Sequence, residues 1–396
     1  MSKQKTEKVG IERMKKICMC TTVSITMKTF VVETAKYLYE NCGYDITLIC
    51  NEDEKFEKTL PDYLHFIPVH MARGIDLSAM KSIKQFIQIF KEQQFDMVQY
   101  STPNAACYAS IAAKIAKVPV RLYCQWGIRY VGMSGMSHKI FKAIEKMVCR
   151  NSTDIRAVSP MNKAFAVSEG LYPEEKAVVV GKGGTIGVDM KRYDISTKAE
   201  YRSSIRNQYN VPDDAFVFGF AGRVSADKGC TELLTAFQKI TEFESKAMLL
   251  IVGPMEDNCG IPAEILEWVR KSKQVVMTGM IDGMKMNEYY SAMDVLVHPT
   301  YREGFGMVLQ EAGALGAAMI TTKIPGASEV MEEGISCLLV DPKNVLDLEA
   351  AMKKLITDRE YSQKIGQAAY ERTKKYYDRP IMLENQRVDY EKLLSK

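Results

Sequence analysis

Short apolar runs alternate with segments of helical pattern along this chain of 396 residues. In the first half the apolar runs predict strands at 16–23, 45–50, 96–100, 120–124, 155–158 and 177–180. In the second half they predict strands at 216–221, 247–253, 275–278, 295–298, 319–321 and 337–340. Strands that alternate with helices are typical of parallel sheets covered by helices on both faces. The sequence therefore predicts an α/β protein.

The length of the chain and one polar segment predict two domains. A single core stops growing at about 250–300 residues, so a chain of 396 residues is expected to divide. Between residues 189 and 210 the sequence becomes polar and charged before the next apolar run begins. We therefore expect domains at 1–190 and 191–375. The predicted helices lie at 30–39, 77–90, 105–116 and 376–394, and a loop at 24–29 precedes the first of them.

Two glutamates flank a glycine turn after the apolar run at 295–298. Glu303 lies in the turn, and Glu311 lies about one turn inside a helix predicted to begin near Met307. The first N–H groups of a helix lack intrahelical partners, so they attract anions. The segment thus combines carboxylate acceptors for hydroxyl groups with N–H donors for an anion, and a sugar nucleotide needs both. The donor-binding candidates here are Gly304, Phe305, Gly306, Met307 and Val308.

A second segment carries two cations after the apolar run at 216–221. Gly222 and Arg223 end the run, and Lys228 follows in a short loop before a helical pattern. An arginine offers a planar fork to phosphate oxygens, and a lysine offers a point charge. Across a tight loop both side chains can reach one diphosphate. The plainer alternative for this segment is that Arg223 and Lys228 are two solvated basic residues. For the first segment it is that Glu303 is a surface residue and Glu311 stabilises its helix.

Together the two segments resemble the signatures of retaining, nucleotide-sugar-dependent glycosyltransferases of family 4. The pattern Pro-x-x-x-Glu-Gly-Phe-Gly-x-x-x-x-Glu-Ala, at 299–312, is far more specific than the spacing of two glutamates. The resemblance implies two facing Rossmann-like domains with a cleft between them, the GT-B arrangement. Residues 1–190 would bind the acceptor, residues 191–375 would bind the nucleotide sugar, and a C-terminal helix at 376–396 would cross back to the N-terminal domain.

The resemblance also implies roles for individual residues. Arg223 and Lys228 would hold the departing diphosphate, Glu303 would bind hydroxyl groups of the donor sugar, and Glu311 would accept from the ribose hydroxyls. Transfer would proceed on one face of the sugar, assisted by the leaving phosphate. The chain has no Asp-x-Asp motif, so we expect neither a metal nor a cofactor.

Further matches extend the resemblance, and two departures limit it. Residues 181–189 resemble a glycine-rich hinge, and Gly326 with Glu329 matches a Gly-x-x-Glu pattern. The segment at 124–130 resembles segments found in transferases of capsular and exopolysaccharide assembly. Many members place a histidine where this chain has Gln125 and Trp126, so that acceptor-side role does not carry over. The predicted loop at 24–29 also lacks the glycine pair common in the family.

Composition agrees with a cytoplasmic protein. No apolar run is long enough to span a membrane, and residues 1–16 are polar and lysine-rich, unlike a secretory signal. The ten cysteines form no Cys-x-x-Cys and are interpreted as reduced, buried side chains. None of the four histidines pairs at zinc spacing. We therefore predict no metal site.

The first half of the chain is basic. Residues 1–195 carry 28 Lys and Arg against 20 Asp and Glu, whereas the remainder carry 25 against 29. Within that half, residues 135–150 form a basic amphipathic pattern, with apolar residues on one side. One expected partner is the anionic inner face of the plasma membrane, because lipid-linked acceptors lie there. The alternative is an ordinary surface helix that packs its apolar side on its own sheet. No motif favours nucleic acid as a partner. The basic residues are Lys139, Lys142, Lys146 and Arg150.

The predicted function is transfer of a sugar from a nucleotide-diphosphate sugar, with UDP as the expected carrier. The expected acceptor is a glycan or a polyprenyl-diphosphate-linked sugar in cell-surface polysaccharide biosynthesis. Two alternatives stay open. One is a sugar-nucleotide epimerase of the same two-domain architecture, and the other is a non-catalytic partner subunit that binds sugar nucleotides. Loss of Arg223, Lys228 or Glu303 would favour the second alternative, but the chain has all three.

Overall fold

The computed structural model describes residues 13–72 and 78–395. Most of the polar N-terminal stretch and the predicted helix start at Leu77 lie outside these residues. Among the described residues no helix is long and apolar enough to cross a membrane.

The first sheet contains seven strands in the order β3-β2-β1-β4-β5-β6-β7. The pairs β1–β2, β2–β3, β1–β4 and β4–β5 are parallel. The central strands β1 and β4 are almost completely buried, as expected for strands covered on both faces. The strands are β1 (Lys16–Cys20), β2 (Asp45–Cys50), β3 (Leu64–Pro68), β4 (Met97–Tyr100), β5 (Val120–Gln125), β6 (Asp154–Ala157) and β7 (Ala177–Val178).

The second sheet contains six parallel strands in the order β10-β9-β8-β11-β12-β13. Strand order reverses between β8 and β11, which are neighbours although two strands separate them in the chain. In doubly wound sheets ligands bind at such a switch point, outside the carboxyl ends of the strands. The strands are β8 (Phe216–Ala221), β9 (Ala247–Val252), β10 (Val275–Met277), β11 (Val295–His298), β12 (Ala318–Thr322) and β13 (Leu338–Val340).

Helices connect the strands and cover the sheets. In the first part of the chain they are α1 (Ser24–Phe30), α2 (Val32–Cys42), α3 (Glu54–Glu57), α4 (Ala79–Gln93), α5 (Pro103–Ile115), α6 (Gly135–Asn151) and α7 (Pro160–Ser168). The remainder are α8 (Lys198–Gln208), α9 (Cys230–Phe243), α10 (Ala263–Lys271), α11 (Met286–Ser291), α12 (Met307–Ala314), α13 (Val345–Thr357), α14 (Arg359–Tyr376) and α15 (Arg379–Leu394).

Strand β8 shows why the second sheet is buried on both faces. Phe218 and Phe220 belong to a core shared with α9 and α13, whereas Val217 and Ala221 belong to a core shared with α11 and α12. Successive side chains of a strand point to opposite faces, so one apolar run supplies both cores. This explains the continuous apolar run at 216–221.

The chain divides into two compact units. One comprises residues up to Cys124, Ala143–Ile155 and the chain from Arg387 onward; the other comprises Gln125–Lys142 and Arg156–Gln386. The end of α15 therefore groups with the N-terminal residues, and Cys42 Sγ lies 3.8 Å from Glu391 Oε1. The predicted boundaries at residues 190 and 375 stay predictions.

Three details of the secondary structure differ from the sequence prediction. Residues 24–29 are helical rather than a loop, because Met27 is buried and the Ser24 hydroxyl donates to Asp53 Oδ2 over 2.6 Å. Strand β3 was not predicted. The helix expected at 376–394 is interrupted, since Tyr377 O accepts from Val188 N (2.8 Å) and Arg379 N donates to Val188 O (2.9 Å).

Candidate functional site

Both sequence signatures lie at the switch point of the second sheet. Gly222 and Arg223 follow the carboxyl end of β8, and the turn with Glu303 follows the carboxyl end of the neighbouring β11. Parallel strands end at the same edge, so two segments about 80 residues apart in sequence meet in one place. The location is the one at which doubly wound sheets bind ligands.

The two loops are joined through their backbones. Tyr301 N donates to Asp227 O over 3.0 Å. Gly229 has a φ of +72° and begins α9, and a Cβ atom there would lie 2.0 Å from Pro299 O. Only glycine combines this conformation with this close approach. A 3-10 turn, Ala226–Lys228, thereby holds Lys228 beside the glutamate turn.

Glu303 receives three hydrogen bonds. Lys228 Nζ and His298 Nε2 each lie 3.1 Å from Glu303 Oε2, and Gly304 N donates to Oε1 over 3.1 Å. Burial by itself would raise the pKa of Glu303, but the hydrogen bond to His298 and the ammonium of Lys228 outweigh it and lower this pKa to about 2. Glu303 is therefore a carboxylate near neutral pH, and a partnered one rather than a free surface group.

Arg223 has a different environment from Lys228. Its guanidinium forms an ion pair with Glu256 and lies 3.8 Å from Asp227 Oδ2. The Arg223 side chain is 51% exposed, whereas that of Lys228 is 21% exposed. Arg223 and Lys228 thus lie in one loop, each balanced by carboxylates.

Helix α12 begins at Met307, as the sequence predicts. Gly306 precedes it with a φ of +33°. Among the described residues, the backbone N–H groups from Phe305 to Val308 have no hydrogen-bond acceptor. Four N–H groups at a helix start form an anion-binding site of the kind that favours phosphate groups.

Glu311 lies one turn into α12 and is half-buried. The Tyr290 hydroxyl donates to Glu311 Oε2 over 2.9 Å, and the Tyr193 hydroxyl also lies near this carboxyl. Burial raises the pKa of Glu311, partly opposed by these hydroxyls and by the charges of Arg192 and Arg379. The pKa of Glu311 is thus raised, whereas that of Glu303 is lowered, so the two glutamates of the motif are not equivalent.

Phe305 is held by the glycine-rich segment at 181–189. A Cβ atom at Gly183 would lie 3.0 Å from the Phe305 ring and 2.6 Å from Val158 O, and one at Gly184 would lie 3.1 Å from the same ring. Tyr377 packs edge-on against Phe305, with ring centroids 5.7 Å apart. The predicted hinge segment thus shapes the turn that carries Glu303.

A hydrogen-bonded cluster joins α7 to the same turn. Glu329 accepts from the Ser159 hydroxyl (2.5 Å), Met161 N (2.7 Å) and Gly326 N (3.0 Å). Asn162 Nδ2 donates to Ser159 Oγ (3.0 Å) and to Gly304 O (3.2 Å). The Gly-x-x-Glu pattern therefore supplies a carboxylate that fastens the start of α7 beside the Glu303 turn. We call this set the Glu329 cluster: Ser159, Met161, Asn162, Gly326 and Glu329.

The backbone of Trp126 also lies against the turn. A Cβ atom at Gly304 would lie 2.3 Å from Trp126 O, which explains why residue 304 is glycine. The Tyr172 hydroxyl donates to Gln125 Oε1 over 2.9 Å. The segment in which the family often carries a histidine thus reaches the Glu303 turn through backbone contact.

Sequence reasoning missed three of these residues. His298 could have been noticed as a polar residue at the carboxyl end of a buried strand, directly before the turn. Ser159 carries the signal of a helix N-cap, since it precedes Pro160 and its hydroxyl accepts from Asn162 N. Nothing in the sequence pattern pointed to Asn162. Within the described part of the chain, no group of three or more His, Cys, Asp and Glu side chains could hold a metal ion.

Two family models match the chain. The model for glycosyl transferases group 1 matches residues 202–372, and the model for glycosyl transferase 4-like proteins matches residues 16–159. Together they cover both sheets apart from β7.

Individual relatives match over most of their length. The capsular polysaccharide biosynthesis glycosyltransferase CapM of Staphylococcus aureus is 28% identical over 342 residues, which are 86% of this chain and 88% of CapM. An Escherichia coli enzyme, UDP-Gal:alpha-D-GlcNAc-diphosphoundecaprenol alpha-1,3-galactosyltransferase, is 22% identical over 329 residues, which are 81% of this chain and 82% of that enzyme.

A solved structure has the same fold. The Anabaena protein HepE, crystallised with UDP and glucose, superposes with a TM-score of 0.79 at 20% identity, covering 96% of this chain and all of HepE. The two Rossmann-like sheets, the signatures at the switch point and the two family matches lead to one conclusion: the chain belongs to the group 1, family 4-like glycosyltransferases and has the GT-B fold.

Proposed function

We propose that this glycosyltransferase moves a sugar from a UDP-sugar to a glycan or a polyprenyl-diphosphate-linked acceptor in cell-surface polysaccharide biosynthesis. The observation that carries the proposal is the convergence, at the switch point of the second sheet, of a lysine, the open N–H groups of α12 and a glutamate. Cations and N–H groups suit a diphosphate, and carboxylates suit sugar hydroxyls.

The names of relatives support the donor and the acceptor. The E. coli enzyme uses UDP-Gal and a diphosphoundecaprenol-linked sugar, and CapM acts in capsular polysaccharide biosynthesis. HepE was crystallised with UDP and glucose. We carry these chemistries over to this chain as a proposal, since the site offers the groups that they require.

Electrostatic stabilisation of the leaving diphosphate is the proposed source of catalysis. Arg223 and Lys228 would neutralise its charge, and the backbone N–H groups from Phe305 to Val308 would donate hydrogen bonds to its oxygens at the start of α12. One preorganised donor of this type is worth roughly 2.7–4 kcal/mol of transition-state stabilisation. These groups would supply the positive charge that a metal ion supplies in other enzymes, and we propose a metal-independent reaction.

The two glutamates would bind different parts of the donor. Glu303, ionised and held at the turn, would accept hydrogen bonds from the donor sugar. Glu311, deeper in α12 beside two tyrosine hydroxyls, would accept from the ribose. We propose retention of anomeric configuration, with the acceptor entering on the face from which the diphosphate leaves. A two-carboxylate glycosidase mechanism is disfavoured, because Glu311 already accepts a hydrogen bond from the Tyr290 hydroxyl.

We also propose a peripheral membrane contact through α6. Lys139, Lys146 and Arg150 are exposed, and Met136 and Ile140 of the same helix are 70% and 39% exposed. Exposed basic and apolar side chains on one helix suit the headgroup region of an anionic bilayer. Lys142 contributes less, because its ammonium lies 2.7 Å from Glu169 Oε2.

The test of the proposed reaction is transfer from a panel of UDP-sugars to a polyprenyl-diphosphate-linked sugar. NMR of the product would report the anomeric configuration, and a parallel reaction without acceptor would reveal an epimerase. We expect one UDP-sugar to be consumed only with acceptor, with retention, and the Glu303→Gln variant to be impaired. Conversion of the sugar nucleotide without acceptor, or an inverted product, would overturn the proposal.

A further inference from the structure

His298 is a buried polar residue for which the reaction outlined above has no role. It ends β11, is 2% exposed, and directly precedes the turn that carries Glu303. We propose that His298 is a positioning residue that donates from Nε2 to Glu303 Oε2 and thereby leaves Oε1 as the oxygen that binds the donor sugar. This inference rests on the proposed role of Glu303.

Counting the acceptor sites of the carboxylate supports this assignment. A carboxylate has about four lone-pair sites, two on each oxygen. His298 Nε2 and Lys228 Nζ, each at 3.1 Å, occupy both sites of Oε2. Gly304 N occupies one site of Oε1. A single acceptor site therefore remains, on Oε1, and it is the one that a sugar hydroxyl can use.

The two nitrogens of the ring differ in their hydrogen-bond partners. Among the described residues His298 Nδ1 is buried and has no hydrogen-bond partner. A buried N–H group without an acceptor is rarer in proteins than an acceptor without a donor. Nε2 is therefore assigned a proton, because Glu303 lies there as its acceptor.

The ring is anchored by the sheet rather than by the loop. His298 pairs with Thr321 of the parallel strand β12, and His298 O accepts from the Thr321 hydroxyl over 3.0 Å. A functional side chain on a strand is held more accurately than one on a loop. His298 thus connects the Glu303 carboxylate, which lies in a turn, to an interior strand of the second sheet.

Three substitutions separate positioning from plain packing. In His298→Gln the amide Nε2 reaches about as far as the imidazole Nε2, whereas the shorter amide of His298→Asn does not, and His298→Leu has no donor. We expect His298→Leu and His298→Asn to lower kcat at least tenfold. The kcat of His298→Gln should stay within about threefold of the wild-type value. Binding of free UDP should change less than twofold in all three, because the bond acts on Glu303 rather than on the diphosphate.

The pH profile supplies a second readout. Among the described residues, the titratable groups that bond to Glu303 are His298 and Lys228. Removing the His298 donor raises the pKa of Glu303 from its depressed value, so the acid limb of kcat should move toward neutral pH in Leu and Asn but not in Gln. A merely structural role would leave this limb in place.

The outcomes distinguish this inference from the proposed function. If wild type transfers sugar and Leu or Asn equals it, or if Gln is as impaired as Asn, the positioning role is wrong. If Leu does not fold, the Gln and Asn pair decides. If all variants lose UDP binding and thermal stability together, His298 only supports the fold and the inference is overturned. If wild type transfers nothing from any UDP-sugar, the proposed function is wrong instead.

Discussion

The ammonium of Lys228 lies 3.1 Å from Glu303 Oε2, so the cation expected at the diphosphate is bonded to the carboxylate expected at the donor sugar. Both side chains are 21% exposed, and partial burial strengthens their attraction. In the proposed donor complex the diphosphate would lie at Lys228 and the sugar hydroxyls at Glu303. An ammonium has three N–H donors, so Lys228 could bind the diphosphate and keep its bond to Glu303.

The first prediction concerns the cations of the β8 loop. Lys228→Ala and Arg223→Ala should each lower kcat/KM at least tenfold, or about 1.4 kcal/mol. Each variant lacks one of the cations that would neutralise the leaving diphosphate. Steady-state kinetics and calorimetric binding of UDP would measure the losses. Lys364→Ala is the matched control, since Lys364 is exposed and forms an ion pair with Glu360 of its own helix. Unchanged kinetics and unchanged UDP inhibition in both variants would contradict the assignment.

The second prediction concerns metal ions. Activity should survive exhaustive treatment with EDTA, because cations and helix N–H groups already face the expected diphosphate. The assay would compare initial rates before and after chelation, with Mg²⁺ or Mn²⁺ added back in a parallel sample. Complete loss of activity that either ion restores would show that a metal takes part.

The third prediction concerns acid stability. The folded-state pKa of Glu303 is lowered to about 2, below the ordinary glutamate value. Ionised Glu303 therefore stabilises the folded state above its unfolded pKa of about 4.3, and this stabilisation is lost as the pH falls toward 2. The free energy of unfolding of wild type, relative to Glu303→Gln, should decrease across that interval. Urea titrations at several pH values would measure it, and a difference independent of pH would contradict the shift.

The fourth prediction concerns the Glu329 cluster. Glu329→Gln and Ser159→Ala should each destabilise the protein by about 1–3 kcal/mol, because each leaves buried donors or acceptors unsatisfied. Chemical denaturation would measure the change. Ser168→Ala is the control, since Ser168 is exposed and its hydroxyl donates to Phe165 O in its own helix.

These two variants and a third, Asn162→Ala, should also affect the reaction. The cluster holds Gly304 O through Asn162, so Asn162→Ala should lower kcat more than it weakens binding of free UDP. Equal stability and equal kcat in all three variants would mean that the cluster does not position the turn.

The fifth prediction concerns the membrane. Changing Lys139, Lys142, Lys146 and Arg150 to Gln should release the protein from anionic vesicles, since each basic residue near the surface contributes about 1 kcal/mol. Vesicle sedimentation at low and high salt would measure the binding. UDP binding should be unchanged in this variant. Absence of binding at low salt, or binding that the four changes do not affect, would leave α6 as a solvated surface helix.

Continuous apolar runs made most strands of both sheets predictable. Strands at 45–50, 216–221 and 295–298 have the predicted bounds, because strands buried on both faces are mostly apolar. Strand β3 was missed because it lies at the edge of its sheet and is only partly buried, with His65 in its second position and Pro68 at its end. A partly exposed strand needs no continuous apolar run, so its sequence resembles a loop.

Local sequence was enough to predict three parts of the site: the Glu303 turn, the Lys228 loop and the start of α12. Each of them combines an apolar strand, a glycine turn or a helix start within a few residues. The partners of Glu303 and Glu329 depended on the fold. Ser159 and Glu329 are 170 residues apart, and only the folded chain brings them to 2.5 Å. His298 is five residues from Glu303, yet the direction of its ring is set by β11 and its parallel neighbour β12. Spacing along a chain can therefore indicate which groups a site contains, whereas the distances that decide their ionisation and orientation arise from packing between segments that the sequence does not place side by side.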